Sequence, residues 1–237
     1  MAAVPASDAA DLPALRDDER GIPRALPLLA ALVEADCRRY ASAASQPAGS
    51  DLVRAFRGGA ASIAAVPIGE FLERVHRFIQ LESVRHVIRL EATSYVLAGV
   101  YLTRFMRSPA AREAGILVEP ATAHRLVAVS LFLGAKFGGP DETLPKRWTV
   151  VFEISSDGAI RAGEMAGLEE RFLRAVDYRL FVDGEVFSWF CGILEQGAQP
   201  ERGSCGGQKR SASAAAGEEA ERRSVRPRLL PPAVTSS

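Results

Sequence analysis

Apolar residues recur every three or four positions over most of this chain, and where the rhythm stops Gly, Pro, Ser and charged residues take over. The first such stretch runs from Pro23 to about Tyr40, with Leu26, Leu29, Ala30, Val33 and Cys37 on one face. A second opens at Pro67, where Ile68, Phe71, Leu72, Val75, Phe78 and Ile79 form a stripe opposite Glu70, Glu73, Arg74 and Arg77. The rhythm continues through Leu81, Val84, Val87, Ile88 and Leu90 with no Gly or Pro, so nothing marks its end. Ser83 and Thr93-Ser94 are both suitable N-caps for the following helix, which contains Tyr95 to Met106 and stops before Pro109. Polar residues 107–119 link it to the next segment.

The densest helical segment is Pro120 to Phe137, bounded by a proline and by Gly138-Gly139. Leu126, Val127, Ser130, Leu131 and Gly134 share one face, while Val129, Phe132 and Leu133 make the others apolar too, so other helices should surround it. Its one late charge is Lys136, which pattern alone reads as a lysine complementing the helix dipole. Beyond it, 140–145 is a loop, and β-branched and aromatic residues from Trp148 to Ile154 predict a short strand or an extended segment packed on a bundle. Ser155 to Gly158 is a turn. A helix follows from Ile160 to about Val176, with Met165, Leu168, Phe172, Leu173 and Val176 inward. Asp183 caps a last helix carrying Val186, Phe187, Phe190 and Leu194.

The expected organisation is therefore an all-α domain over residues 21–195, with an N-terminal helix, about five more helices and a flexible linker at about 41–54. Residues 1–20 and 196–237 lack apolar periodicity and are expected to be disordered tails. No period repeats, which excludes a solenoid.

Composition narrows the classes. With 29 basic and 29 acidic side chains there is no global electrostatic drive toward nucleic acid or a membrane surface. Cys37, Cys191 and Cys205 are odd in number and far apart, as in a reducing compartment. No apolar run reaches the roughly 18 residues of a membrane span, so a soluble intracellular protein is expected. His76, His86 and His124 are isolated from other metal-ligating residues, and P-loop, G-x-S-x-G and G-x-G-x-x-G patterns do not occur. The expectation is no enzyme, no metal and no cofactor. A small-ligand enzyme built on a helical bundle has no residues to support it; a binding module does.

Two charged features remain. Glu169 directly follows the inward Leu168 and lies nearer the apolar stripe than Glu170; a helix neighbour such as Arg171 or Arg174 is its plain local partner. In the tail, Lys209-Arg210 and Arg222-Arg223 with Arg226-Pro-Arg228 form two basic clusters, the look of a bipartite nuclear-import signal.

Four ordered blocks, together covering about Ile22 to Leu194, resemble the cyclin box, most closely that of plant P- or U-type cyclins, akin to the yeast phosphate-signalling cyclins. Phe71-Leu-Glu-Arg-Val-His-Arg-Phe78 is similar to Y-L-E-R-I-x-K-Y/F, and Val96 to Phe105 to V-V-A-Y-V-Y-L-D-R-F. Ala123-His-Arg-Leu to Ala135-Lys-Phe137 is similar to V-H-R-L-L-I-T-S-V-x-x-A-A-K-F, and Glu164 to Leu173 to E-M-N-x-L-E-x-x-F-L.

The resemblance implies a single five-helix cyclin box, preceded by one helix, that binds and activates a cyclin-dependent protein kinase. It also implies that Lys136 and Glu169 are the kinase-contacting pair, and that the protein acts in cell-cycle or phosphate signalling; the basic clusters of the tail point to the nucleus, with the cytoplasm left open as a further location. The alternative is a cyclin-fold interaction scaffold, or a divergent paralogue that has lost kinase activation. This sequence departs from the pattern in three places. The family's aspartate is Thr103, about nine extra residues lie around Val84–Ala92, and 138–160 replace the stretch that follows A-K-F.

Overall fold

The protein is described by a computed structural model at residues 12–40, 49–57, 66–81, 90–138, 145–156, 158 and 160–197. Among these residues nine α-helices and one 3-10 turn carry the fold, and no strand occurs. In chain order they are α1 (Ala25–Tyr40), α2 (Asp51–Phe56), α3 (Ile68–Ile79), α4 (Ala92–Arg107), α5 (Pro109–Ala114), α6 (Ala123–Gly138), α7 (Pro145–Ser155), α8 (Ala162–Ala175) and α9 (Gly184–Gly197). The all-helical expectation holds among the described residues.

Helices α4 and α6 make the central pair, which is why α6 is apolar nearly all round. Their approach depends on Gly134: a Cβ there would lie 2.4 Å from the Ser94 carbonyl oxygen and 3.1 Å from the Ala98 nitrogen. Because those atoms are backbone, the helices would have to separate. Gly134→Ala should therefore destabilise the fold by about 1–3 kcal/mol, the usual cost of overpacking, seen as a lowered urea midpoint with unchanged slope.

The other helices surround this pair. Helix α1 packs against α3, α4 and α9, α9 also covers α4, and α8 lies against α6 and α7. Phe56 of α2, Phe105 of α4 and Phe172 of α8 are fully buried together, with Phe105 and Phe172 stacked at 4.5 Å between centroids. Tyr101 and Arg104 of α4 hold the α8–α9 connection: Tyr101 Oη donates to the Leu180 carbonyl at 3.1 Å, and Arg104 Nη1 donates to those of Arg179 and Phe181 at 2.7 and 2.8 Å. Asp183 caps α9 as expected, accepting the Val186 amide at 2.8 Å.

Several expectations need correction. Trp148–Ile154 is neither strand nor extended but the body of α7. Trp148, Val151, Phe152 and Ser155 are buried, at helical spacing, and both rings meet Phe132 of α6 edge-on. Burial of that face overrides the β-propensity of Val150, Val151 and Ile154. The expected linker at 41–54 ends earlier, since α2 starts at Asp51, capped by Ser50 Oγ, which accepts the Val53 amide at 3.2 Å. The polar link 107–119 contains α5, with Ser108 as cap, Pro109 at its first position and Gly115 at φ 69° just past its end. The lead-in is structured from Leu12 onward: Pro13–Leu15 forms the 3-10 turn, Ala14 is buried, and Asp17 bridges Pro23. Helix α4 begins at Ala92 and not at a cap at Thr93 or Ser94. Ser83, residues 1–11 and 41–48, and the expected tail after Gly197 lie outside the described residues.

Candidate functional site

The last turn of α6 and the middle of α8 bring two charged residues together across 33 positions of sequence. Lys136 Nζ donates to Glu169 Oε1 at 2.8 Å. The lysine side chain is 30% exposed and the carboxylate 15% exposed, so the pair is half withdrawn from water at the edge of the bundle. The ammonium also lies 5.8 Å from the Phe132 ring centroid and 5.6 Å from that of Phe137, within cation–π range. Phe137 is itself 44% exposed and gives this edge an apolar component. On the neighbouring α7, Val150 and Ile154 also face solvent.

Lys136 is therefore more than a dipole-complementing lysine, and Glu169 is not paired within its own helix. The local partners are taken elsewhere: Arg174 binds Glu170 at 2.6 Å, and Arg171 Nη1 donates to the Gly167 carbonyl at 2.9 Å. The angle between α6 and α8 is also held at the other end of α6. There Arg125 reaches Glu164 at 3.2 Å and donates to the Ala55 carbonyl at 2.9 Å. Glu153 of α7 accepts the Ala162 amide at 2.9 Å and so caps α8. Sequence reasoning missed Arg125, Glu153 and Arg104 as positioning groups, because each acts on backbone outside its own helix.

Nothing else described competes as a chemical site. Thr103, where the resembled family has an aspartate, is buried and satisfied within its own helix, its Oγ1 donating to the Gly99 carbonyl at 2.8 Å. His76 Nδ1 meets the Tyr95 hydroxyl at 2.8 Å and His124 Nε2 meets the Val66 carbonyl at 2.9 Å. Burial holds both imidazoles below their ordinary range, so each is neutral at pH 7. Burial pushes the Cys37 thiol up to about 11 and Cys191 to about 12, which leaves almost no nucleophilic thiolate. Among the described residues no three His, Cys, Asp or Glu side chains gather to hold a metal, and no helix is long and apolar enough to cross a membrane. His86 and Cys205 lie outside the described residues.

Comparison with known proteins points to one family. The cyclin family model matches residues 30–180, from within α1 into the loop after α8. The chain is similar to Cyclin-P2-1 of Oryza sativa subsp. japonica, 28% identical over 233 residues, covering 90% of this chain and 97% of that protein. It is also similar to Cyclin-U2-1 of Arabidopsis thaliana, 23% identical over 181 residues, covering 76% of this chain and 72% of that protein.

Proposed function

This chain belongs to the cyclin family, as a P/U-type member with a regulatory, cyclin-type role, and from that premise we propose that it binds a cyclin-dependent protein kinase and activates it. The observation that carries this reading is the Lys136–Glu169 pair, held at 2.8 Å on the edge of the bundle beside the exposed Phe137. A fixed ammonium and carboxylate with an apolar neighbour supply directional contacts together with area to bury.

The proposed mechanism is conformational. The surface of α6, α7 and α8 packs on the kinase helix αC and holds it inward, where the kinase's own Glu pairs with the strand-3 Lys that positions the ATP phosphates. The cyclin needs only to bind that active arrangement better than the inactive one. A differential of about 5.5 kcal/mol carries a 1:99 equilibrium to 99:1. The residues that replace the family's stretch after A-K-F include α7, which buries Trp148 and Phe152 and presents Val150 and Ile154 outward. That supports a surviving, though altered, contact surface. We further propose a nuclear location, on the basic clusters around Lys209-Arg210 and Arg222–Arg228, and a role in cell-cycle or phosphate signalling.

The test is purification of the tagged full chain with candidate cyclin-dependent kinases, followed by phosphorylation of a general substrate. Recovery of kinase with activity raised at least about tenfold over kinase alone is the expected result. Recovery of inactive kinase supports an interaction scaffold that no longer activates, and absence of any kinase overturns the reading.

A further inference from the structure

A second feature lies where the lead-in meets the end of α3 and the start of α4. A cleft of about 350 Å³ opens there, with Leu15, Pro23 and Leu90 among its apolar lining. Asp17 and Glu91 stand on its rim, both exposed and neither in an ion pair among the described residues. No lysine or arginine lines the cleft among the described residues. His76 closes one wall, buried and held at Nδ1 by Tyr95. The site is thus acidic and apolar at once.

The chain carries a segment of complementary chemistry. Arg222, Arg223, Arg226 and Arg228 put four guanidinium groups within a few residues, with no carboxylate between them, and Leu229-Leu230 follow directly. Where the chain leaves the bundle also suits the match. Helix α9 ends at Gly197, and two residues earlier Glu195 Oε1 accepts the Ala14 amide at 2.9 Å, adjacent to the Leu15 that lines the cleft. About 25 residues separate Gly197 from Arg222, and the greatest reach of that many residues is about 80 Å, so an intramolecular contact lies within range.

We propose that residues 222–230 of this same chain dock in the cleft, with arginines paired to Asp17 and Glu91 and the two leucines on the apolar wall. Charge-assisted, forked guanidinium–carboxylate contacts give the docking its register, and the leucines give it area. The docked state is salt-sensitive, because the rim carboxylates are exposed.

Hydrogen exchange on the full chain at low salt tests this. In a tail variant carrying Arg222→Ser, Arg223→Ser, Arg226→Ser and Arg228→Ser, amides of residues 15–21 and 90–94 should exchange about fivefold or more faster than in the wild type. The substitutions leave every described residue unchanged, so misfolding cannot mimic the result. Asp17→Lys with Glu91→Lys should give the same loss, and the four Arg→Glu changes added to that pair should restore protection. Wild-type exchange in the tail variant overturns the proposal. So does protection that disappears on dilution from about 100 µM to about 1 µM, since the occupant would then be the tail of a second copy.

Discussion

Lys136→Ala is expected to lower affinity for the proposed partner, a cyclin-dependent kinase, by about 30-fold to a few thousand-fold, while helix content stays unchanged. The range corresponds to about 2–5 kcal/mol, the cost of truncating one partner of a hydrogen-bonded charge pair that an interface desolvates. In the free protein the loss is smaller, about 1 kcal/mol, because the lysine is still 30% exposed and water can replace part of what the carboxylate loses. That difference separates a contact residue from a merely structural one. Glu169→Ala should behave alike. The exchanged pair, Lys136→Glu with Glu169→Lys, should recover most of the fold stability but not the binding, since the kinase would meet each charge in the wrong place. Titration calorimetry with the purified kinase, alongside circular dichroism, reads both quantities. Normal affinity in both alanine variants would remove the pair from the interface.

Phe172→Ala should be the most damaging single change to the fold itself, at about 3–5 kcal/mol. The ring is fully buried, stacked on Phe105 at 4.5 Å and edge-on to Phe56 at 6.4 Å. Its removal leaves a cavity where α2, α4 and α8 meet, and these helices cannot all close in at once because α4 is fixed against α6 by the Gly134 contact. At about 2–4 °C per kcal/mol for a domain of this size, melting should fall by roughly 6–20 °C. Phe181→Ala is the control: this ring is 66% exposed, so its loss should stay within about 0.5 kcal/mol. Equal effects from the two substitutions would mean that the cluster of Phe56, Phe105 and Phe172 is not what joins the three helices.

The positions of the larger helices were legible because their apolar residues repeat at helical period over three or four turns, as in α3 with Phe71, Leu72, Val75 and Ile79. The short helices were harder to see. Helices α2 and α5 have six residues each, too few for a period to show, although Ser50 and the Ser108-Pro109 pair mark their starts. In α7 the signal conflicted. Trp148, Val151, Phe152 and Ser155 have helical spacing, but the β-branched neighbours suggest an extended chain, and only the Phe132 surface of α6 decides between them. The lead-in was misjudged for a similar reason. Within its described part the buried Ala14 acquires its place from α9 through Glu195.

The candidate site divides in the same way. Lys136 and Glu169 were recognisable as positions by likeness to a family, while their residue patterns alone favoured a dipole-complementing lysine and a carboxylate paired along its own helix. By itself the sequence determined the all-helical class, the helix that lies at the centre and the residues able to face inward, because these depend on local periodicity and on the free energy of burying apolar area. Only the tertiary structure decided that Lys136 meets Glu169 and not water, and that Arg171 and Arg174 are occupied elsewhere. An ion pair between helices depends on their crossing angle. For α6 and α8 that angle is held by Arg125 of α6, which reaches Glu164 of α8 and the Ala55 carbonyl, residues far apart in the chain.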